Sequence, residues 1–338
     1  MPLPLYELGS RPSYDAGIAN AGLWYDKFCD QWSEDWKRGL RQEMGRNGKL
    51  EWIKGIVKEP TGDPKLIREA AKRRSNLLLS CGGLSLHFRT DGPFVTGLGR
   101  NHPVENGFAW HHALGVPYLP GSSVKGVVRS WSKSWRSVGE EDVNRILGPR
   151  GSLSPSVGTV IFLDVLPVTA VQLKADVMTP HYAPYYQQGE PPADWHSPIP
   201  ISFLVVDSGQ EFHFGLMPRH AKRKEDLEDC KIVSVWLIEA LKNIGAGAKT
   251  AVGYGRFEQI VPRSPAIEWL ENFAKSNERP LSEIYTGLPK VLVDEWEGIT
   301  DPELKEKVRG VIKKSYQELG LWDNPYGSIK KAKKIYER

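Results

Sequence analysis

Cysteine is scarce in this 338-residue chain, and no apolar run approaches the roughly 18 residues needed to cross a bilayer. The three cysteines, Cys29, Cys81 and Cys230, form no C-x-x-C pair, which argues against a zinc ribbon. Unpaired thiols fit a reducing compartment. The N-terminus has no basic stretch followed by an apolar one, so no secretory signal is predicted. We therefore expect a cytoplasmic protein that has no membrane partner and binds no metal or other cofactor.

A long basic tail is also missing. Lys and Arg number 45 against 41 Asp and Glu, and the two signs are nearly balanced within residues 1–82, 83–262 and 263–338. The chain therefore cannot coat a nucleic acid by charge alone. Any contact with nucleic acid must come from a few placed cations and backbone N–H groups. Tryptophan, in contrast, is abundant, and its 12 copies indicate large docking surfaces or stacking platforms.

The first 81 residues are predicted to be a helical extension. Aromatic and apolar side chains recur every four positions in residues 20–44, which predicts one helix with a single apolar stripe. That stripe consists of Trp24, Phe28, Trp32, Trp36 and Leu40. It can pack on the chain's own core, which we favour, or bind a partner. A second, basic helix is predicted over Pro64–Ser80, because proline suits the first helical turn.

Residues 82–262 mix strand and helix signals. Strands are predicted at 82–90, 158–166, 201–207, 210–217 and 254–261, and helices at 122–135 and 231–243. Ser208-Gly209 is expected to join two strands as a hairpin turn. This order is that of a ferredoxin-like, RRM-type βαββαβ unit in an α+β protein. Residues 167–200 are predicted to project as an insertion, and residues 263–338 to form a helical C-terminal region.

The segment YLPGSSVKGVVRSW (118–131) starts the first of these helices. Ser122 or Ser123 would cap the helix, and a helix N-terminus attracts anions. Lys125 and Arg129 are four residues apart and share a face, so both could follow a phosphate backbone. An equally acceptable interpretation is a well-capped structural helix with solvated cations.

The segment NIGAGAKTAVGYGRF (243–257) resembles the end of a nucleotide-binding P-loop. Ala248, however, stands where that motif needs glycine, and the loop leaves a helix and enters a strand, which is the reverse order. What remains is a G-x-G-x5-G-x-G-R pattern, whose glycines allow positive φ and the close approach of another backbone. The alternative is an irregular connection packed on its own domain.

These two motifs, in this order, resemble the RAMP superfamily of CRISPR-associated proteins. Residues 99–130 and 174–186 are similar to the sixth subunits of Cmr-type (type III-B) effector complexes. The resemblance covers roughly residues 82–262. It implies a ferredoxin-like fold, binding of guide RNA (crRNA), and assembly with other Cmr-type RAMP subunits into an RNA-targeting ribonucleoprotein of antiviral defence. Carried over, the RNA-binding residues are Gly121, Ser122, Ser123, Lys125, Arg129, Gly245, Gly247, Lys249, Gly253, Gly255 and Arg256.

The resemblance also implies a β-hairpin thumb, which RAMP backbone proteins push across the duplex of guide and target RNA. Its apolar and aromatic side chains would stack on bases or wedge between them. The candidate contacts with target RNA are Lys174, Met178, His181, Tyr182 and Tyr185. The alternative is a surface loop without such a role.

Some related RAMP subunits cut RNA with an aspartate in the loop between the first strand and the first helix. The corresponding loop, residues 94–117, contains no aspartate, so we predict no catalytic residue and no enzyme activity. The alternative is a metal-independent endoribonuclease that processes precursor guide RNA, with His102 and Glu105 as the acid–base pair. His111 and His112 would point to opposite faces of an extended chain and could not easily share a metal.

Overall fold

The computed structural model describes residues 14–16, 18–32, 42–43, 46–102, 105–149, 151, 156–193, 195, 200–260 and 264–337. Contacts divide the chain after residue 260 into two compact units. No helix in these described ranges is long and apolar enough to cross a bilayer.

The first unit mixes helices and strands. Its helices are α1 (Ala21–Lys27), α2 (Gly48–Ile56), α3 (Pro64–Ser80), α4 (Gly121–Ser134), α5 (Glu140–Leu147), α6 (Ala183–Gln188) and α7 (Lys224–Asn243). Its strands are β1 (Gln42–Glu43), β2 (Arg46–Asn47), β3 (Leu84–Thr90), β4 (Trp110–His111), β5 (Val116–Pro117), β6 (Val160–Phe162), β7 (Leu166–Pro167), β8 (Leu173–Met178), β9 (Ile201–Val206), β10 (Glu211–Pro218) and β11 (Phe257–Ile260).

An antiparallel sheet forms the centre of this unit, with the strand order β11-β3-β10-β6 and with β7 also paired to β10. Alternation along the strands places Phe88, Phe212 and Phe214 on one face, where they are buried in the main core. Helices α4 and α7 pack against each other and bury Val128 and Leu237 in the same core. The sheet therefore carries both helices on its apolar face.

The hairpin predicted at Ser208-Gly209 is wrong. Strand β9 pairs with β8 in a separate two-stranded ribbon, whereas β10 pairs with β3. Val206 exchanges backbone hydrogen bonds with Phe94, at 2.8 and 3.0 Å. Residues 208–209 thus carry the chain from the ribbon to the central sheet. The projecting segment is also shorter than predicted, because Val171 and Leu173 are buried in the main core and only residues 179–200 lie between the ribbon strands.

The long N-terminal helix predicted for residues 20–44 is wrong for residues 28–32, which are not helical, and for residues 42–43, which form β1. Asn20 caps α1 by accepting from the backbone N–H of Leu23 at 3.0 Å, and the helix ends at Lys27. Trp24 stacks on Trp52 with ring centroids 4.0 Å apart, and both belong to the main core. The aromatic stripe therefore packs on the chain's own core, as favoured. Trp36 and Leu40 lie outside the described residues.

Helix α3 has the bounds predicted for it, whereas α7 begins seven residues earlier than predicted. Asp63 caps α3 by accepting from the backbone N–H of Lys65 at 2.7 Å, and Pro64 occupies the first turn. The early turns of α7 are polar (KEDLEDC), so hydrophobic periodicity does not reveal them.

The second unit is helical, as predicted. It consists of α8 (Pro265–Ser276), α9 (Ile284–Gly287), α10 (Pro289–Glu297), α11 (Pro302–Glu318) and α12 (Gly327–Tyr336). These helices enclose a core of their own around Leu270, Leu292 and Ile312.

The other face of the central sheet carries a buried polar cluster. His213 is 2% exposed, and its Nε2 lies 2.8 Å from Ser85 Oγ. Arg74 of α3 donates through Nε to His213 Nδ1 at 3.5 Å, so Nδ1 accepts and Nε2 donates to the serine. Burial, with the charges of Arg74 and His87, lowers the pKa of His213 to about 3. The imidazole is therefore neutral in the folded chain.

We expect a His213→Gln variant to lose part of the acid sensitivity of the parent. The unfolded chain takes up this proton below about pH 6.5, whereas the folded chain does so only near pH 3. Acidification between these values therefore destabilises the fold. Between about pH 7 and pH 5 the contribution to the free energy of unfolding is up to about 2 kcal/mol. Urea unfolding at both pH values measures it, with the exposed His112→Gln as control. A variant with the parent's full pH dependence would contradict the assignment.

Candidate nucleic-acid interface

A groove of about 610 Å³ opens where α4, the glycine loop (residues 244–256) and the segment after β3 meet. Helix α4 lines it with Ser123, Gly126, Val127 and Ser130, which lie on one helical face. The opposite wall consists of residues 244–248 and Thr250. Residues 96–100, together with Ala109, Leu119 and Pro120, form the rest of the lining. The two motifs recognised in the sequence therefore meet in space.

The start of α4 is capped by a residue that is remote in the sequence, and not by the serines of its own first turn. Pro120 is the cap residue and offers no side-chain bond, whereas Asp164 Oδ1 accepts from the backbone N–H of Gly121 at 2.7 Å. The prediction that Ser122 or Ser123 caps the helix is therefore wrong. Both serines are exposed in the first turn, and Ser123 lines the groove. A Cβ at Gly121 would collide with the carbonyl oxygen of Phe162, so glycine is needed there for packing.

Arg129 is a structural residue, and its predicted contact with a phosphate backbone is wrong. It is 5% exposed and donates through Nη2 to the carbonyl oxygens of Leu147, at 2.9 Å, and Gly148. The guanidinium therefore holds the C-terminus of α5. Lys125 is half-buried, and burial together with Arg129 and Arg219 lowers its pKa. The spacing of four does place both cations on one face, but neither belongs to the groove lining.

The glycine loop crosses residues 93–95 at close range. Ala246 N–H donates to Gly255 O, Gly255 N–H to Pro93 O, and Ala248 N–H to Val95 O, each at 2.8 Å. A Cβ at Gly255 would strike the carbonyl of Ala246, and one at Gly247 would strike that of Val95.

All four glycines of the motif have positive φ, between 69° and 97°. Gly245, like Gly247 and Gly255, is required by the chain's own backbone, because its Cβ would lie 2.6 Å from Gly255 O. Around Gly253 there is open space within 4 Å of a Cβ. Packing of the chain on itself therefore explains three of the four glycines.

Lys249 and Arg256 point away from the groove. Lys249 Nζ lies 5.4 Å from the ring centroid of Phe203 and 3.8 Å from Met178 Sδ, so it faces the ribbon. Arg256 lines a separate depression of about 390 Å³, together with Asp91 and Lys242. The structure therefore does not join these two cations to the helix start.

Arg100 is the cation that sequence reasoning missed. Within the described part of the chain it is the one charged residue of the groove lining. Its Nη2 donates to Tyr118 Oη at 3.2 Å, and its Cζ lies 5.8 Å from the centroid of that ring. A signal was present, because GLGR (97–100) repeats the G-x-G-R pattern of GYGR (253–256).

The suggested acid–base pair is engaged elsewhere. His102 Nε2 lies 3.1 Å from Asp26 Oδ1, its side chain is 4% exposed, and its ring stacks on Tyr25. Glu105 pairs with Lys49 at 2.8 Å. Both side chains tie the loop after β3 to the N-terminal segment. In the described ranges, His, Cys, Asp and Glu form no group able to hold a metal ion.

The predicted thumb residues divide into two sets. Met178, the last residue of β8, is partly buried against Val95, Phe203 and Val205, and its contact with target RNA stays a prediction. Lys174 is exposed on β8. The exposed set beyond the ribbon consists of His181, Tyr182 and Tyr185, together with the neighbouring Tyr186.

Gly255→Ala should unfold the glycine loop or prevent folding, whereas Gly253→Ala should fold with a loss of about 1 kcal/mol. The first adds a methyl group against the carbonyl of Ala246. The methyl group at position 253 meets open space, so this variant is destabilised only by the strain of a positive φ. Urea unfolding and circular dichroism compare the two variants. Equal stability would show that the backbone crossing does not require glycine.

Arg129→Met should lower the free energy of unfolding by about 2–4 kcal/mol, because two buried carbonyls lose their charged donor. Lys125→Met, on the same face and half-exposed, serves as the control and should cost less than about 1 kcal/mol. Urea unfolding measures both. If the Arg129 variant were as stable as the parent and had lost RNA binding, the predicted contact between Arg129 and a phosphate group would be supported instead.

Comparison with known proteins places these features in a family. The family model of the RAMP superfamily matches residues 87–258. The chain is 28% identical over 269 residues to "CRISPR system Cmr subunit Cmr6" of Pyrococcus furiosus, covering 62% of this chain and 77% of that protein. It is 30% identical over 156 residues to "CRISPR system CMR subunit Cmr6" of Saccharolobus solfataricus, covering 46% and 49%.

A solved structure supports the fold. A chain of the type III-B Cmr-beta complex bound to cognate target RNA matches with a TM-score of 0.52 and 23% identity, covering 63% of this chain and 71% of that chain. The family match spans both groove motifs and half of the sequence. The chain belongs to the RAMP superfamily.

Proposed function

We propose that the protein is a non-catalytic, guide-RNA-binding subunit of a type III-B CRISPR ribonucleoprotein that targets RNA in antiviral defence. The observation that carries this proposal is the groove in which the α4 start and the glycine loop meet beside Arg100. The two Cmr6 relatives supply the kind of complex. Its partners would be guide RNA, target RNA and other Cmr-type RAMP subunits, in the cytoplasm.

The groove lining suits a sugar–phosphate backbone. Its accessible polar groups are hydroxyls of Ser123, Ser130 and Thr250, backbone groups and one guanidinium. Hydroxyls, N–H groups and arginine are the usual partners of phosphate oxygens, and such contacts position a strand without reading its sequence. We infer that any guide sequence is held in the same way.

Two glycines of the lining are not needed by the fold. A Cβ at Gly126 or at Gly99 would meet no atom within 4 Å. A glycine within a helix costs about 1 kcal/mol relative to alanine, so Gly126 weakens α4 without a packing reason. The missing side chain leaves room along the groove wall for a ligand's backbone. Its presence there supports a bound strand.

We also propose that the central sheet with α4 and α7 is a ferredoxin-like unit. The support is the order β3-α4-β6-β10-α7-β11 along the chain, combined with the order β11-β3-β10-β6 in the sheet. Strand β7 is an addition beside β6.

Residues 179–200 are proposed to contact target RNA, with Lys174 at the base. Tyr185 is 47% exposed and Tyr186 is 81% exposed, so their rings present faces on which bases can stack. Met178 offers less surface to a base than these tyrosines, because it is partly buried against Val95, Phe203 and Val205. The non-catalytic role rests on the absence of aspartate from residues 94–117 and on the engagement of His102 with Asp26.

The variant Gly126→Asp, Ser130→Asp should bind single-stranded RNA at least about tenfold more weakly than the parent, because two carboxylates would face phosphates. The matched control is Ser134→Asp, Gly139→Asp, which changes the same residue types at exposed positions outside the groove. Fluorescence anisotropy over a range of KCl concentrations measures both. Equal binding by the two variants would overturn the groove as the RNA site.

A further inference from the structure

The second unit is electrically divided along its sequence. Residues 264–301 carry three basic and eight acidic side chains, whereas residues 302–338 carry ten basic and five acidic ones. The first half therefore has a net charge of −5 and the second half a net charge of +5. The near-neutral total of this region conceals a strongly basic half.

Most of the basic half is concentrated on α12 and the end of α11. Helix α12 (GSIKKAKKIY) contains four lysines and no acidic residue. Tyr326, Lys330 and Lys333 follow each other at intervals of four and three, and Lys334 lies one turn beyond Lys330, so these residues share a face. Tyr326 is 62% exposed, and Lys330 and Lys334 are exposed.

Trp322 contacts one lysine from α11 and one from α12. Lys313 Nζ and Lys333 Nζ each lie 5.3 Å from the centroid of the Trp322 ring. The distance between the two ammonium groups is therefore at most twice this value. Lys333 also donates to the carbonyl oxygen of Trp322 at 2.9 Å. Like charges held together in this way raise the local positive potential, which an anion relieves.

The acidic groups near these lysines do not neutralise them. Glu337 pairs with Lys333 at 3.6 Å and Glu318 with Lys314 at 3.7 Å, both on the surface, and Asp323 is exposed beside Trp322. In the described part of the second unit, Lys313, Lys330 and Lys334 have no carboxylate within ion-pair distance.

We propose that the surface formed by Tyr326, Lys330, Lys334 and Lys313 is a second binding site for single-stranded RNA. Charge complementarity supplies the attraction, and the exposed tyrosine ring supplies a stacking face among the cations. The site lies outside residues 87–258, and the choice of RNA as the ligand rests on the proposed function.

The test uses the full chain with the groove disabled by Gly126→Asp and Ser130→Asp. An oligouridine of about 20 nucleotides should still bind, and its log Kd should depend on log[KCl]. The further changes Lys313→Gln, Lys330→Gln and Lys334→Gln should reduce that slope by about two, at roughly 0.7 per lost contact. The matched control removes three cations from the acidic half, by Lys275→Gln, Arg279→Gln and Lys290→Gln, and should leave the slope unchanged.

Tyr326 provides a second readout. Tyr326→Ala should weaken binding roughly tenfold without changing the slope, and Tyr326→Phe should restore it, because stacking needs the ring and not the hydroxyl. Circular dichroism confirms that each variant is folded. If the triple lysine variant does not fold, the double variant Lys330→Gln, Lys334→Gln replaces it. Its slope is expected to be smaller than the parent's by about 1.4.

Parent-like affinity and slope after the lysine changes would overturn this second site, even if the same lysines proved to bind an acidic protein. Loss of binding on changing the lysines, with parent-like binding by the groove variant, would instead overturn the groove as the RNA site and leave this second site standing. The two proposals therefore fail separately.

Discussion

The close crossing of the glycine loop over residues 93–95 is the constraint on which the groove depends. Two backbone hydrogen bonds of 2.8 Å hold the crossing, and a third of the same length closes the loop between Ala246 and Gly255. A Cβ at Gly247 or Gly255 would collide with the backbone at these contacts. The crossing brings the loop after α7 beside the segment after β3. Because that segment continues through residues 96–100, one set of backbone contacts fixes two walls of the groove opposite α4.

The N-terminal segment acts as a brace for the same region. Asp26 meets His102, and Lys49 pairs with Glu105, so the C-terminal end of α1 and the N-terminal end of α2 reach the loop after β3. The stack of Trp24 on Trp52 secures these helices in the core that also contains Phe88 and Phe214. Several of the abundant aromatic residues therefore stabilise the position of Arg100 indirectly, by fixing the elements that surround its loop.

The sequence was informative about local elements and poor at tertiary assignments. The proline signal gave α3 with its observed bounds, and the two motifs did meet in one groove. The fate of Arg129 was not predictable, because periodicity places a residue on a helical face without showing that α5 covers that face. Pairing of β9 with β8 rather than β10 was equally hidden, because the local pattern predicted no strand at residues 173–178. Whether these residues bind RNA is a question that neither periodicity nor burial answers.

The ribbon that carries residues 179–200 is fastened to the glycine loop. Tyr254 Oη donates to Asp176 Oδ2 at 2.7 Å, and Met178 Sδ accepts from Lys249 Nζ, so two side chains of β8 grip the loop from its far side. Burial and the neighbouring Asp176 raise the pKa of Tyr254 to about 12, which keeps this hydroxyl a donor at neutral pH. The exposed tyrosines and one wall of the groove are therefore joined by a continuous path, through the β8–β9 ladder and the contacts of Asp176 and Met178 with the glycine loop.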